Sequence, residues 1–300
     1  MRRIWKLMTV TLVMLLAAAC SKGGAENKIV IAALNFSEQE ILAHALKQYI
    51  EAKTDLQVEL KTGLGASAMS FAAMRNNEAQ ITAIRYVGTD LTGALNVQEP
   101  IRDPDEAFRM VKEGFQEQFD MTYFDPYGFE NTYAFAVRRE TAEKYGLKTV
   151  SDLAKVASQF NLGVDTTWLD RPADGYQAFI QTYGFEFGKV TPMDIGLVYK
   201  ALADGKMDAV LAYSTDARIR EFDLVILEDD KHFFPPYQGA PVARNDVLEK
   251  HPELKDLLQS LAGTISTSEM TEMNYEVDVL GREPADVARD FLIRKGLIEG

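Results

Sequence analysis

From Lys28 to Leu34 the chain is almost continuously apolar, and Ile41, Leu42, Ala45, Leu46, Tyr49 and Ile50 then recur at helical spacing. The first run predicts a buried strand, and the second predicts a helix opened by the capping-box pattern Ser37-Glu38-Gln39-Glu40. Leu56, Val58 and Leu60 alternate as a second strand, and Gly63-Leu64-Gly65 predicts a turn into a helix running through Met74. Asp103-Pro104 has the form of an N-cap followed by proline, with Phe108, Val111, Phe115 and Phe119 on one face of the helix it opens. The pattern restarts at Asn131. Tyr133 to Val137 predicts a strand followed by a helix ending near Gly146. Ser151 is placed to cap another helix, Leu162-Gly163-Val164 predicts a short strand, Gly175 to Tyr183 a helix, and Leu224 to Leu227 a further strand. Phe233-Phe234-Pro235-Pro236-Tyr237 interrupts regular structure. Beyond it Pro252 to Leu261, Ser266 to Val277 and Pro284 to Lys295 predict three helices with no strand among them.

Two passages within this rhythm match. Ile84-Arg85-Tyr86-Val87-Gly88-Thr89-Asp90 and Leu211-Ala212-Tyr213-Ser214-Thr215-Asp216 each end an apolar run in a tyrosine and continue to Thr-Asp, which suits a helix N-cap. One residue of slack separates the two copies. In open α/β sheets ligands sit beyond the carboxyl ends of strands, so two such units on facing lobes direct two tyrosines into one cleft. The expected fold is therefore α/β and bilobal, with two crossovers and a cleft between the lobes. Three helices without strands make a poor domain, so the tail is expected to return to the first lobe. Residues 28–131 and 236–300 are then lobe I, and 132–235 lobe II.

Composition changes the picture at the N-terminus. Arg2, Arg3 and Lys6 precede the apolar run Leu7 to Leu16 and the small residues Ala17-Ala18-Ala19, the pattern of a secretion signal over 1–19. The apolar run is too short for a membrane-spanning helix. Cys20, the single cysteine of the chain, follows at once, and this context resembles a bacterial lipoprotein signal whose cysteine is lipidated. Residues 20–27 read as a tether. Loss of Arg2, Arg3 and Lys6 with the leader takes the formal charge from −13 to −16. Such a surface repels nucleic acid and anionic lipid, so membrane attachment is expected through the lipid anchor alone.

Motifs for covalent chemistry are sparse. His44, His232 and His251 have no metal-ligand spacing, neither GxxxxGK[ST] nor GxSxG occurs, and no cofactor is expected. Gly63-Leu64-Gly65-Ala66-Ser67-Ala68 has the outline of a dinucleotide fingerprint, the basis of an alternative reading as an exported nucleotide-dependent oxidoreductase. It follows the second strand rather than the first, and a tight turn explains it equally. The tyrosines are more informative. Tyr86 and Tyr213 end matching strands, Tyr133 opens the first strand of lobe two, and Tyr237 lies in the rigid Pro-Pro-Tyr crossover. A methylated ammonium offers no N–H to a carboxylate, so ring faces are its favourable partners, at about 0.5–2 kcal/mol per contact. Association costs about 4–15 kcal/mol, so a second handle is needed. Arg171, whose guanidinium can grip a carboxylate, is the candidate, with a surface pair to Asp170 or Asp174 as the alternative. Another cationic metabolite in the same cleft is a further alternative.

Tyr86-Val-Gly-Thr-Asp-Leu-Thr, Asn131-Thr-Tyr-Ala-Phe, Lys206-Met-Asp-Ala-Val-Leu-Ala-Tyr-Ser-Thr-Asp and Phe233-Phe-Pro-Pro-Tyr together resemble the substrate-binding lipoproteins of osmoprotectant ABC transporters. The resemblance covers nearly all of residues 28–295. It implies a monomeric, extracytoplasmic periplasmic-binding-protein-like fold. Such a protein closes on glycine betaine, carnitine, choline or proline betaine and delivers it to permease subunits. By position it puts a four-tyrosine cage at Tyr86, Tyr133, Tyr213 and Tyr237, a carboxylate-binding arginine at Arg171 and a hydroxyl at Thr89. Where relatives tend to carry a polar side chain at the end of the first strand, this chain has Leu34 followed by Asn35, which becomes the lobe-one polar candidate. Threonine at 89 leans towards zwitterionic or broad specificity.

Overall fold

The computed structural model describes residues 27–99, 101–166, 168–171 and 174–300. The expected leader, Cys20 and all of the tether but Asn27 lie outside the described residues. Among the described residues ten strands form two five-stranded mixed sheets. The first has the order β2-β1-β3-β10-β4, built from β1 (Lys28–Leu34), β2 (Gln57–Leu64), β3 (Ile81–Tyr86), β4 (Met121–Tyr123) and β10 (Gly239–Arg244). The second has the order β7-β6-β8-β5-β9, built from β5 (Tyr133–Arg138), β6 (Asn161–Asp165), β7 (Lys189–Met193), β8 (Ala209–Tyr213) and β9 (Leu224–Ile226). In both sheets the first three strands are parallel and the fourth is antiparallel to its neighbours. That antiparallel strand is, in each sheet, the first one after the chain crosses from the other sheet. The two crossings pair with each other through an antiparallel bridge between Glu130 and Gln238.

Each sheet is covered by helices on both faces, and each carries two buried apolar clusters. The predicted helices after β1 (Ser37–Lys53), after Asp103 (Pro104–Phe119) and in the tail (Glu253–Gln259, Thr267–Asp278, Pro284–Arg294) are present. The tail helices pack on the Ser37–Lys53 helix, and Thr267–Asp278 packs as well on the short helix Ala217–Glu221 that follows β8.

Several local expectations are corrected. Ser37 does not cap: its hydroxyl donates to Asp278, Phe36 occupies the N-cap position without a side-chain bond, and the Glu38 carboxyl is turned inward. Thr149 rather than Ser151 caps the next turn, through a reciprocal box with Asp152. Strand β10 was not expected in the tail. Its sequence Gly-Ala-Pro-Val-Ala-Arg carries two residues that disfavour strands. Pro241 is tolerated because the register with β3 shifts between Ala240 and Val242, so the missing N–H falls at the irregularity. Strand β7 was hidden the same way by Pro192, which an edge strand accommodates. The glycines at 63 and 65 form no nucleotide turn. Gly63 lies inside edge strand β2 with φ +77°, where the pairing with β1 is irregular.

Candidate functional site

Tyr86 and Tyr213 occupy equivalent places in the two sheets, each ending the strand that pairs with the antiparallel one. Tyr133, the first residue of β5, pairs directly with Tyr213, the last of β8, and their rings stack with centroids 5.1 Å apart. In the other sheet Gly239, the first residue of β10, pairs with Tyr86, the last of β3, which brings Tyr237 to the same end. A cavity of about 600 Å³ opens between these strand ends, within the range of small-molecule sites. Tyr86, Tyr213 and Tyr237 line it together with Asn35 and Thr89. Tyr133, expected as a cage wall, is not among the described residues lining the cavity and stands one ring behind Tyr213. Leu34 is buried and does not line the cavity, its N–H donating to the Gln39 side chain; Asn35 takes the place at the wall.

Arg171 is not among the described residues lining the cavity. Its guanidinium forms a bidentate pair with Asp174 (2.7 and 2.6 Å) and lies 5.5 Å from the Tyr133 ring centroid. The carboxylate pair and an interaction with the Tyr237 hydroxyl hold its proton more tightly than usual. The arginine therefore stands behind two of the four tyrosines, with a protein carboxylate already in its fork.

The one residue of slack between the twin units is Gly88, and the structure shows its use. A Cβ at Gly88 would sit 2.8 Å from the Pro236 carbonyl oxygen and 3.0 Å from Cε1 of Tyr237. Tyr237 reaches the cavity only because the helix Val87–Gly93 is bare at that point. Gly88→Ala is expected to displace Tyr237 at an overpacking cost of about 1–3 kcal/mol. Calorimetry should show weaker ligand binding with the helix content unchanged, and unaltered affinity would remove Tyr237 from the wall.

The Thr-Asp halves of the twins also differ. Asp216 caps its helix as expected, accepting from the Arg218 N–H. Asp90 does not cap: the helix already begins at Val87, and Asp90 is buried in a bidentate pair with Arg85, which also bonds the Ser70 hydroxyl at 3.1 Å. This ion pair ties the helix bearing Thr89 back to β3.

Sequence reading missed the floor of the cavity. Glu38, read as part of a capping box, is 2% exposed and lines the cavity with Asn131, Asn274, Thr215 and Asp278. The Tyr86 hydroxyl and the Asn131 amide (3.2 Å) donate to one of its oxygens, and the Asn274 amide (3.4 Å) to the other. Burial raises the carboxyl's pKa, and the donors partly oppose that. Burial, and after it the contact with Glu38, push the Tyr86 phenol well above its ordinary range. Nothing in the local sequence around 38 signals this, because Tyr86, Asn131 and Asn274 come from 48, 93 and 236 residues away.

Paired sheets, paired crossings and a tyrosine-walled cleft between strand ends define a bilobal solute-binding protein rather than a nucleotide-binding enzyme domain. Residues 27–294 match the family described as the substrate binding domain of ABC-type glycine betaine transport systems, and the chain belongs to that family. It is 48% identical over 278 residues to the carnitine transport binding protein OpuCC of Listeria monocytogenes, covering 93% of this chain and 90% of that one. It is 34% identical to the ergothioneine transport permease/ergothioneine binding protein EgtU of Helicobacter pylori, over 99% of this chain and 53% of that longer protein. A crystal structure titled glycine betaine/carnitine/choline ABC transporter superposes with a TM-score of 0.87 at 50% identity, over 90% of this chain and 98% of that one.

Proposed function

We propose that this protein captures glycine betaine, carnitine or a related quaternary amine such as choline or proline betaine outside the cytoplasm and delivers it to the permease of an ABC importer. The observation that carries this reading is that Tyr86 and Tyr213 end equivalent strands of the two sheets and line one cavity with Tyr237, while Tyr133 stacks on Tyr213. Ring faces there meet a methylated ammonium from both sides, which a hydrogen-bonding wall cannot do as well. Residues 28–131 with 236–300 act as one lobe and 132–235 as the other. Ligand stabilises the closed arrangement because only there do both lobes touch it. Thr89 and Asn35 serve the ligand's polar end from the first lobe, and the part of the Arg171 guanidinium not engaged by Asp174 serves a carboxylate. The role is binding and delivery, without covalent chemistry. The protein works as a monomer held at the membrane by lipid on Cys20; among the described residues no helix is long and apolar enough to cross a membrane.

Calorimetry of the protein without its leader tests the reading. Saturable binding of at least one of glycine betaine, carnitine, proline betaine and choline is expected, and absence of binding to all four would contradict it. Trp168 supplies a second readout. Its indole N–H donates to the Asp174 carbonyl at 2.6 Å, so it holds the segment that carries Arg171. Ligand addition is expected to change its emission; a silent Trp168 in protein that binds would detach Arg171 from the site.

A further inference from the structure

The described residues lining the cleft include three carboxylates, Glu38, Asp216 and Asp278, and no lysine or arginine. Their surroundings differ. Asp216 is held in a bidentate pair with Arg218 and is electrically satisfied. Asp278 accepts from the Ser37 hydroxyl at the rim. Glu38 alone is buried, and its partners Tyr86, Thr215, Asn131 and Asn274 are all neutral. The amides of Asn131 and Asn274 donate to it and the Tyr86 phenol donates as well, a donor set that favours the ionised carboxylate against the burial that raises its pKa and that includes no cation. Asn274 adds to the acceptor character of the floor: its amide also donates to the Thr215 carbonyl at 2.8 Å, which fixes its orientation, and its Oδ1 is buried with no protein partner.

We infer that Glu38 is the specificity-determining charge of this cleft, holding Tyr86 by its hydroxyl and biasing the site towards ligands of net positive charge over zwitterions with the same headgroup. This rests on the quaternary-amine reading of the site. A buried negative charge attracts an ammonium across a poorly screened path, but the carboxylate of a betaine is repelled by it and offsets much of that gain. The repulsion also orients a zwitterion, directing its carboxylate away from the floor towards Thr89 and Arg171. Glu38 thereby acts on ligand choice without needing contact with the methyl groups.

The test compares Glu38→Gln with the parent protein by calorimetry, using tetramethylammonium and choline as cations and glycine betaine as zwitterion. Glutamine keeps the volume and an acceptor for Tyr86 while removing the charge. Tetramethylammonium and choline are expected to weaken by about tenfold and glycine betaine by about threefold or less. Equal losses for cations and zwitterion, or no loss, would overturn the inference and leave Glu38 a packing residue. Glu38→Met, neutral and of similar length, is expected to give the same split. Glu38→Asp retains the charge and should keep the parent's cation-to-zwitterion ratio even as both ligands bind less tightly. Failure of the parent protein to bind any of the three would overturn the reading of the site as well, a result distinct from equal losses.

Discussion

Tyr213→Ala is expected to weaken quaternary-amine binding by about twofold to about thirtyfold. The substitution removes one ring face from the cation, worth about 0.5–2 kcal/mol. Loss of the ring stacked on Tyr133 at 5.1 Å, a pairing worth about 0.5–1.5 kcal/mol, acts on free and bound protein alike and falls on stability rather than affinity. About 1.4 kcal/mol corresponds to a tenfold change in Kd. Tyr145 serves as the comparison. It is 37% exposed and remote from the cleft lining, so Tyr145→Ala should leave affinity unchanged within about twofold. Calorimetry of the two variants reads the difference directly, and equal effects would remove the aromatic wall from the account.

Asp90→Ala is expected to be the most destabilising substitution near the site, at about 3–5 kcal/mol. It leaves the Arg85 guanidinium buried without its counter-charge, since the side chains of Arg85 and Asp90 are 4% and 1% exposed. The Ser70 hydroxyl and the Phe71 and Phe115 rings near Arg85 cannot replace a carboxylate. Guanidinium unfolding measures the loss. Replacing both partners by apolar residues, as in Arg85→Met with Asp90→Leu, should recover most of it, because the cost lies in the unpaired charge rather than in the absence of the pair. A loss below about 1 kcal/mol in the single variant would contradict this assignment.

The hydrophobic rhythm carried the strands and helices of the first half except the three-residue β4, and the equivalence of Tyr86 with Tyr213, because those elements follow their own local periodicity. It missed β10 and β7, where a proline inside the strand outweighs the alternation locally and only the sheet partners show how it is accommodated. Without β10 the approach of Tyr237 to Tyr86 had to come from the resemblance rather than from topology. The same limit explains Glu38 and Asp90. Both sit at positions that suit helix capping, and both are instead drawn into the interior by partners far along the chain or on the preceding strand. For Arg171 the sequence offered either a grip on a ligand carboxylate or a surface pair with Asp170 or Asp174, and in the structure Asp174 occupies its fork.

The central claim, that ring faces rather than hydrogen bonds select the ligand's ammonium group, is tested most directly by titrating the protein with glycine, its N-methyl and N,N-dimethyl derivatives, and glycine betaine. The carboxylate is constant along this series and only the ammonium changes. Each N–H retained must leave water for a wall whose one buried carboxylate is already engaged by Tyr86, Asn131 and Asn274, at about 1–3 kcal/mol per unmade bond. Affinity is therefore expected to rise with every methyl group, with glycine betaine about a hundredfold or more tighter than glycine. Glycine binding as tightly as glycine betaine would contradict the account.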